Sequence, residues 1–284
     1  MPERDPVDSL PDLSVLRRRW PEYADPSAIH DVRVRGVAIG GPGRVVIAGP
    51  CAVESLEQTL NIARRVKELG GRLLRGGAYK PRTDPRSFQG LEREGLEILS
   101  EVRRRTGLGV VTEVMDPRLV EEVAQHADML QIGARSMHNY PLLKEVARFR
   151  KPVLLKRGFC ATLEEWLCAA EYVAEQGNRD IVLCERGTRS STSWDRVECA
   201  LELDVVAPLR RATPLPVIAD PSHSSERWTQ VVDAAKAALA AGFDGLLIET
   251  IESEESRSTL RCDSHRGINP DLLAEIMTSA SDKE

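Results

Sequence analysis

The sequence predicts an α/β fold, a single (β/α)₈ TIM barrel behind a short N-terminal extension. Three observations predict it. Short apolar, β-branched runs recur from residue 44 onward, and a longer amphipathic segment or loop follows each. The repeating part also fills roughly the 250 residues that such a barrel needs.

Residues 1–43 read as the extension, proline-rich with one helical patch at SVLRRRWPEY, expected to cover the barrel bottom or reach a neighbouring subunit. Residues 44–284 are assigned to the barrel. Its strands in order are RVVIAG (44–49), RLLRG (72–76), GVVTEV (109–114), DMLQIG (128–133), PVLLKRG (152–158), DIVLCERG (180–187), LPVIADP (215–221) and DGLLIE (244–249). Between them, segments such as SLEQTLNIARRVKELGG and DPRLVEEVAQHA repeat apolar residues at three- and four-residue spacing, with acidic residues early, and are predicted helices. An open doubly wound sheet is the rival. It would place GxGxxG after the first strand, where this chain has GPCAVES. No second globular domain, internal repeat or low-complexity tract is visible.

Composition narrows the function classes. With a formal net charge of −5, 42% hydrophobic, 29% charged and only 4% aromatic residues, nothing favours nucleic acid or anionic lipid as a partner. No apolar run approaches bilayer length, and the N-terminus lacks the apolar core of a signal peptide. The six cysteines include no CxxC pair and read as reduced thiols, so a cytoplasmic location is expected.

In a barrel of this kind the site lies at the C-terminal ends of the strands, and the chemically loaded residues fall there. Two sets separate. Arg75, Lys80, Arg135, Lys156 and Arg186 converge from four strand ends, the first two both from the second strand and the loop after it. Such convergence is costly unless an anion carrying phosphate and carboxylate compensates it. Any one of these alone is equally well a solvated strand-end residue. The second set, Cys51, His223, Glu249 and Asp263, offers thiolate, imidazole and carboxylates suited to a divalent ion such as Mn, Fe, Co or Zn. Cys51 alone would more often be a small buried hydrophobe, and His265 competes with His223 as a ligand or substrate contact. Lys156, among cations in a low dielectric, is the candidate for proton transfer. A Schiff-base aldolase using Lys156 and a catalytically silent binding barrel are the rival functional classes.

The motifs GPCAVES, RGGAYKPRT, QIGAR, LLKRG, CERG, DPSH and IE, in this order, resemble the 3-deoxy-D-arabino-heptulosonate 7-phosphate (DAHP) synthases of the type I beta class. The sister 3-deoxy-D-manno-octulosonate 8-phosphate synthases share the barrel and several cations but do not normally carry KPRT. The resemblance covers roughly residues 44–280. It implies condensation of phosphoenolpyruvate with erythrose 4-phosphate, the first step of the shikimate pathway, in a cytoplasmic homo-oligomer, dimer or tetramer. It further implies that Arg75, Lys80, Arg135, Lys156 and Arg186 hold phosphoenolpyruvate, and that Cys51, His223, Glu249 and Asp263 hold the metal. Pro81, Arg82 and Thr83 receive the aldose phosphate with Arg189 in support, Glu113 sits near the attacking water, and Lys80, Lys156, Glu113 and Asp263 form the catalytic group. Three stretches depart from the family pattern: CERGTRSSTSWDRVECALELD, ETIESEESRSTLRCDSHRG, and KPRTDP, where the family usually has KPRTSP. All three lie at the mouth where the aldose binds. A related synthase of secondary metabolism using another aldose phosphate is therefore the second reading, and with no regulatory domain visible little feedback inhibition by aromatic amino acids is expected.

Overall fold

The structure, a computed structural model, describes residues 21, 25, 29–191, 197–262 and 265–281. The helical patch expected near the N-terminus, apart from Pro21, and the candidate ligand Asp263 lie outside these residues.

Eight parallel strands close into a barrel: β3 (Val45–Gly49), β4 (Leu73–Arg75), β5 (Gly109–Glu113), β6 (Met129–Ile132), β7 (Val153–Lys156), β8 (Ile181–Glu185), β11 (Val217–Ala219) and β12 (Gly245–Glu249), with β12 pairing back onto β3. Each lies inside one of the eight predicted runs. The paired segments are shorter because the predicted runs take in flanking Asp, Gly, Pro and Arg residues that lie beyond the ladder at the rims. Helices α1 (Leu56–Glu68), α2 (Glu92–Thr106), α3 (Val120–His126), α4 (Tyr140–Arg148), α5 (Leu163–Glu175), α6 (Val206–Ala212), α8 (Val231–Ala240) and α9 (Pro270–Ser281) accompany them, and a single turn, α7 (Pro221–Ser224), follows β11. The helix starts are built locally: Ser55 accepts from Gln58 N at 3.1 Å, and Thr162 and Glu165 form a reciprocal capping box.

Strand alternation divides the apolar residues into two layers. Val46, Leu74, Val110, Leu130, Val153, Leu155, Leu183 and Leu246 point out and pack with the helices. Ile47, Leu73, Val111, Met129, Leu154, Val182, Ile218 and Leu247 fill the interior. Continuing inward by steps of two places Arg75, Glu113, Gln131, Lys156, Arg186, Asp220 and Glu249 one layer above the apolar fill. A packed floor therefore carries a charged layer.

Two hairpins lie outside the predicted strands. The first, β1 (Val32–Val34) and β2 (Val37–Ile39), pairs Val34 with Val37 across the two-residue Arg35–Gly36 loop. Its Val32, Val34, Val37 and Ile39 belong to the interior cluster. Part of the extension thus plugs the barrel bottom, one of the two placements expected for it. The second hairpin, β9 (Thr188–Ser191) with β10 (Val197–Ala200), rises from the end of β8.

Candidate active site

The charged layer opens into a cavity of about 350 Å³ lined by Lys80, Pro81, Arg82, Thr83, Asp84, Ser87, Glu113, Gly133, Ala134, Arg135, Lys156, Phe159, Arg186, Arg189, His223 and Arg266. Nine of the substrate and catalytic candidates named from sequence meet there. Arg75 does not line it. Buried beneath, Arg75 donates to Glu249 Oε1 at 2.7 Å and to the Cys51 carbonyl at 3.3 Å. Burial would make its guanidinium easier to deprotonate, but Glu249 and Cys51 outweigh that.

Lys80 folds back over Cys51, donating to its carbonyl at 2.9 Å and to Sγ at 3.2 Å. Residue 77 has to be glycine for this, since a Cβ there would stand 2.6 Å from Lys80 Cδ and 2.9 Å from the Cys51 oxygen. Cys51 Sγ is also 3.2 Å from Cys262 Sγ, and Arg82 Nη1 donates to Cys262 Sγ at 2.9 Å. The Cys262 hydrogen bond and then burial raise the Cys51 thiol well above its ordinary range, with Lys80 opposing. Downstream, Arg86 clasps Asp84 through its backbone N and two guanidinium nitrogens at 2.9–3.0 Å, holding that carboxyl below its ordinary range. The extra carboxylate of KPRTDP is thus neutralised within its own turn.

Glu113 accepts from Gln131 Nε2 at 3.1 Å through Oε2, while Oε1 is buried without a hydrogen-bond partner. Gly133 makes room for it, since a Cβ there would fall 2.0 Å from Oε1. Opposite, Lys156 corrects an expectation: it does not stand among cations alone. Its Nζ is 2.5 Å from Asp220 Oδ2, and both side chains are buried.

Asp220 ties the site together. It caps α7 by accepting from His223 N at 3.1 Å, and its Oδ2 meets His223 Nδ1 at 2.7 Å. Burial works against its ionisation, yet His223 and Lys156 hold it far below the ordinary carboxylate range. With Nδ1 engaged, His223 turns Nε2 toward Glu249 Oε1 at 3.2 Å. Ser222 of the same turn accepts from Glu249 N at 2.9 Å, locking the end of β12 to α7. Glu249 is likewise held well below its usual range, because His223 and Arg75 outweigh the cost of burial.

The donors suit a divalent ion on one observation: Glu249 Oε2 is buried with no hydrogen-bond partner, and the His223 imidazole beside it is oriented by a second carboxylate, Asp220. Among the described residues the donors stand in pairs, Cys51 with Cys262 and His223 with Glu249, and no three are close enough to share one ion. His265 is exposed and accepts from Arg266 Nε at 3.2 Å.

Residues 24–282 match the DAHP synthetase I family. This chain belongs to that family. Among similar proteins, the phospho-2-dehydro-3-deoxyheptonate aldolase of Thermotoga maritima is 42% identical over 241 residues, 85% of this chain and 70% of that one. A 2-dehydro-3-deoxyphosphooctonate aldolase of Nitrosococcus oceani is 33% identical over 225 residues, 72% of this chain and 78% of its own. The crystal structure of the Thermotoga maritima DAHP synthase superposes with a TM-score of 0.83 at 39% identity, covering 92% of this chain and 74% of that one. A truncated form of a Thermotoga maritima enzyme gives 0.80 at 38%, covering 92% of both chains. Among the described residues no helix is long and apolar enough to cross a membrane.

As a member of the DAHP synthetase I family the chain shows several site residues that sequence reasoning left without a role. Asp220, Gln131 and Cys262 touch named candidates, and Phe159 and Arg266 line the cavity. Inward alternation from Met129 and Ile218 was the available signal for Gln131 and Asp220. Cys262 had none, because its contact with Cys51 spans 211 residues.

Proposed function

We propose that this chain condenses phosphoenolpyruvate with erythrose 4-phosphate and water to give 3-deoxy-D-arabino-heptulosonate 7-phosphate and phosphate. The observation that carries the reading is that one cavity is strongly cationic. Lys80, Arg82, Arg135, Lys156, Arg186, Arg189 and Arg266 line it against only two carboxylates, Asp84 and Glu113. That suits two anionic substrates held against each other.

In this reading Lys80, Arg135, Lys156 and Arg186 bind the phosphate and carboxylate of phosphoenolpyruvate. Arg75 sets Glu249 from below. Pro81, Arg82 and Thr83 take the aldose phosphate, with Arg189 supporting. Cys51, His223, Glu249 and Asp263 would hold a divalent ion, which would supply Lewis-acid polarisation of the aldehyde. C3 of phosphoenolpyruvate bonds to the aldehyde carbon, and water adds at C2. Glu113 Oε1 takes the water proton. The C2–O bond to phosphate then breaks as Lys156 Nζ protonates the leaving oxygen, the C2 hydroxyl returns its proton to Lys156 as it becomes the ketone, and the proton held on Glu113 passes to the former aldehyde oxygen, now the C4 hydroxyl. Asp220 keeps that ammonium in place.

The acceptor carries the second reading. Asp84 lines the aldose end and the octonate-type relatives are a third identical, so a longer aldose phosphate is the alternative. Phosphate release from phosphoenolpyruvate, measured against four- and five-carbon aldose phosphates with and without chelator, tests both. Turnover with erythrose 4-phosphate, abolished by chelator, is expected. Turnover only with a five-carbon sugar would select the alternative, and chelator-insensitive turnover trapped by borohydride would select a Schiff-base aldolase.

A further inference from the structure

Three guanidiniums from three elements gather on one aromatic ring. Arg135 in the turn after β6, Arg186 at the end of β8 and Arg189 in β9 lie 5.1, 5.0 and 4.3 Å from the centroid of Phe159. Arg186 has other partners, donating to the carbonyls of Gly187 at 3.0 Å and His223 at 2.8 Å. Arg135 and Arg189 differ. Among the described residues neither guanidinium has a carboxylate or a hydrogen-bond acceptor, so the ring is what holds them. Burial and then Arg186, Arg135 and Arg266 push the Arg189 guanidinium below its ordinary range, a measure of the crowding. The backbone fixes the ring against this cluster, because Arg189 N donates to the Phe159 carbonyl at 2.6 Å.

We propose that Phe159 is a positioning residue, whose ring keeps Arg135, Arg186 and Arg189 gathered in the cavity lining before an anion enters. A carboxylate could also hold three cations, but it would cancel the charge the substrate needs. The face of an aromatic ring attracts guanidinium while carrying no net charge, leaving the full cationic field available. Side chains already gathered lose less freedom on binding, so the benefit falls on affinity. Phe159 touches no reacting atom in this scheme. The assignment rests on the function proposed above.

The test is direct titration of phosphoenolpyruvate and of inorganic phosphate into the wild-type protein, Phe159→Leu, Phe159→Met and Phe159→Tyr, with steady-state kinetics alongside. Leu and Met fill the site without a ring, and circular dichroism confirms that each variant is folded. Loss of the ring is expected to weaken both ligands about tenfold and raise the phosphoenolpyruvate KM about tenfold, with kcat within about threefold of wild type. Tyr restores wild-type affinity. Unchanged affinity in folded Leu or Met, or equal losses in Leu, Met and Tyr, overturns the role of Phe159 alone. A wild-type protein that binds no phosphoenolpyruvate overturns the proposed function and this assignment with it.

Discussion

Asp220 shows how much one buried carboxylate can organise. It caps a single helical turn, holds the His223 ring through Nδ1 and faces the Lys156 ammonium, all at zero exposure. Outer partners of a ligating imidazole, the role proposed for His223, typically govern 10- to 100-fold in metal affinity. Asp220→Asn is therefore expected to weaken divalent-ion binding by about that factor in direct titration of the folded protein; unchanged affinity would reduce Asp220 to a packing role. At this scale much was legible. Lys80, Arg135, Lys156, Arg186 and Glu113 could be placed at the mouth because strand ends and period-two alternation are local properties. The contacts that complete them were not, since Arg75 with Glu249 and Cys51 with Cys262 join residues 174 and 211 positions apart. Nothing local in RGG or RCD states those pairings.

The elements repeat the lesson with a different balance. The eight barrel strands were readable because burial on both faces leaves continuous β-branched runs. The hairpin β1–β2 escaped although VRVRGVAI alternates around a two-residue loop, because the prolines before it suggest irregular chain. Likewise the β9–β10 hairpin hides in a polar stretch that reads as a loop. The second supplies Arg189 to the cavity, and the first packs into the barrel interior from the other end. A buried network anchors the second: Arg157 Nη1 pairs with Glu185 at 3.0 Å and with Glu202 at 2.9 Å, while Glu185 Oε1 accepts from Gly187 N at 2.6 Å. For the first, Ile39 is fully buried against the interior layer. Ile39→Ala should cost about 2–5 kcal/mol in a denaturant titration, the usual range for truncating a packed aliphatic side chain. A change under about 0.5 kcal/mol, the size of a surface substitution, would mean that the hairpin is not seated as described.

For the whole molecule, the contrast between a formal charge of −5 and a cationic mouth has a kinetic consequence. The field that draws an anion inward is local and must act against an acidic surround, so added salt screens the attraction where it matters. The KM for phosphoenolpyruvate is expected to rise several-fold between about 0.05 M and 0.5 M potassium chloride, as the Debye length shrinks from roughly 14 to 4 Å, with kcat little changed. A salt-independent KM would argue that the arginines act through contact geometry alone.

The hairpin beneath the barrel carries a last implication, about time. Val32, Val34, Val37 and Ile39 rest on side chains from the whole ring of strands, the last of them Leu247 of β12. Their seat does not exist until a chain more than two hundred residues longer has come full circle. Among the first parts of the described chain to leave the ribosome, this apolar pair must wait exposed and is docked only when the barrel shuts.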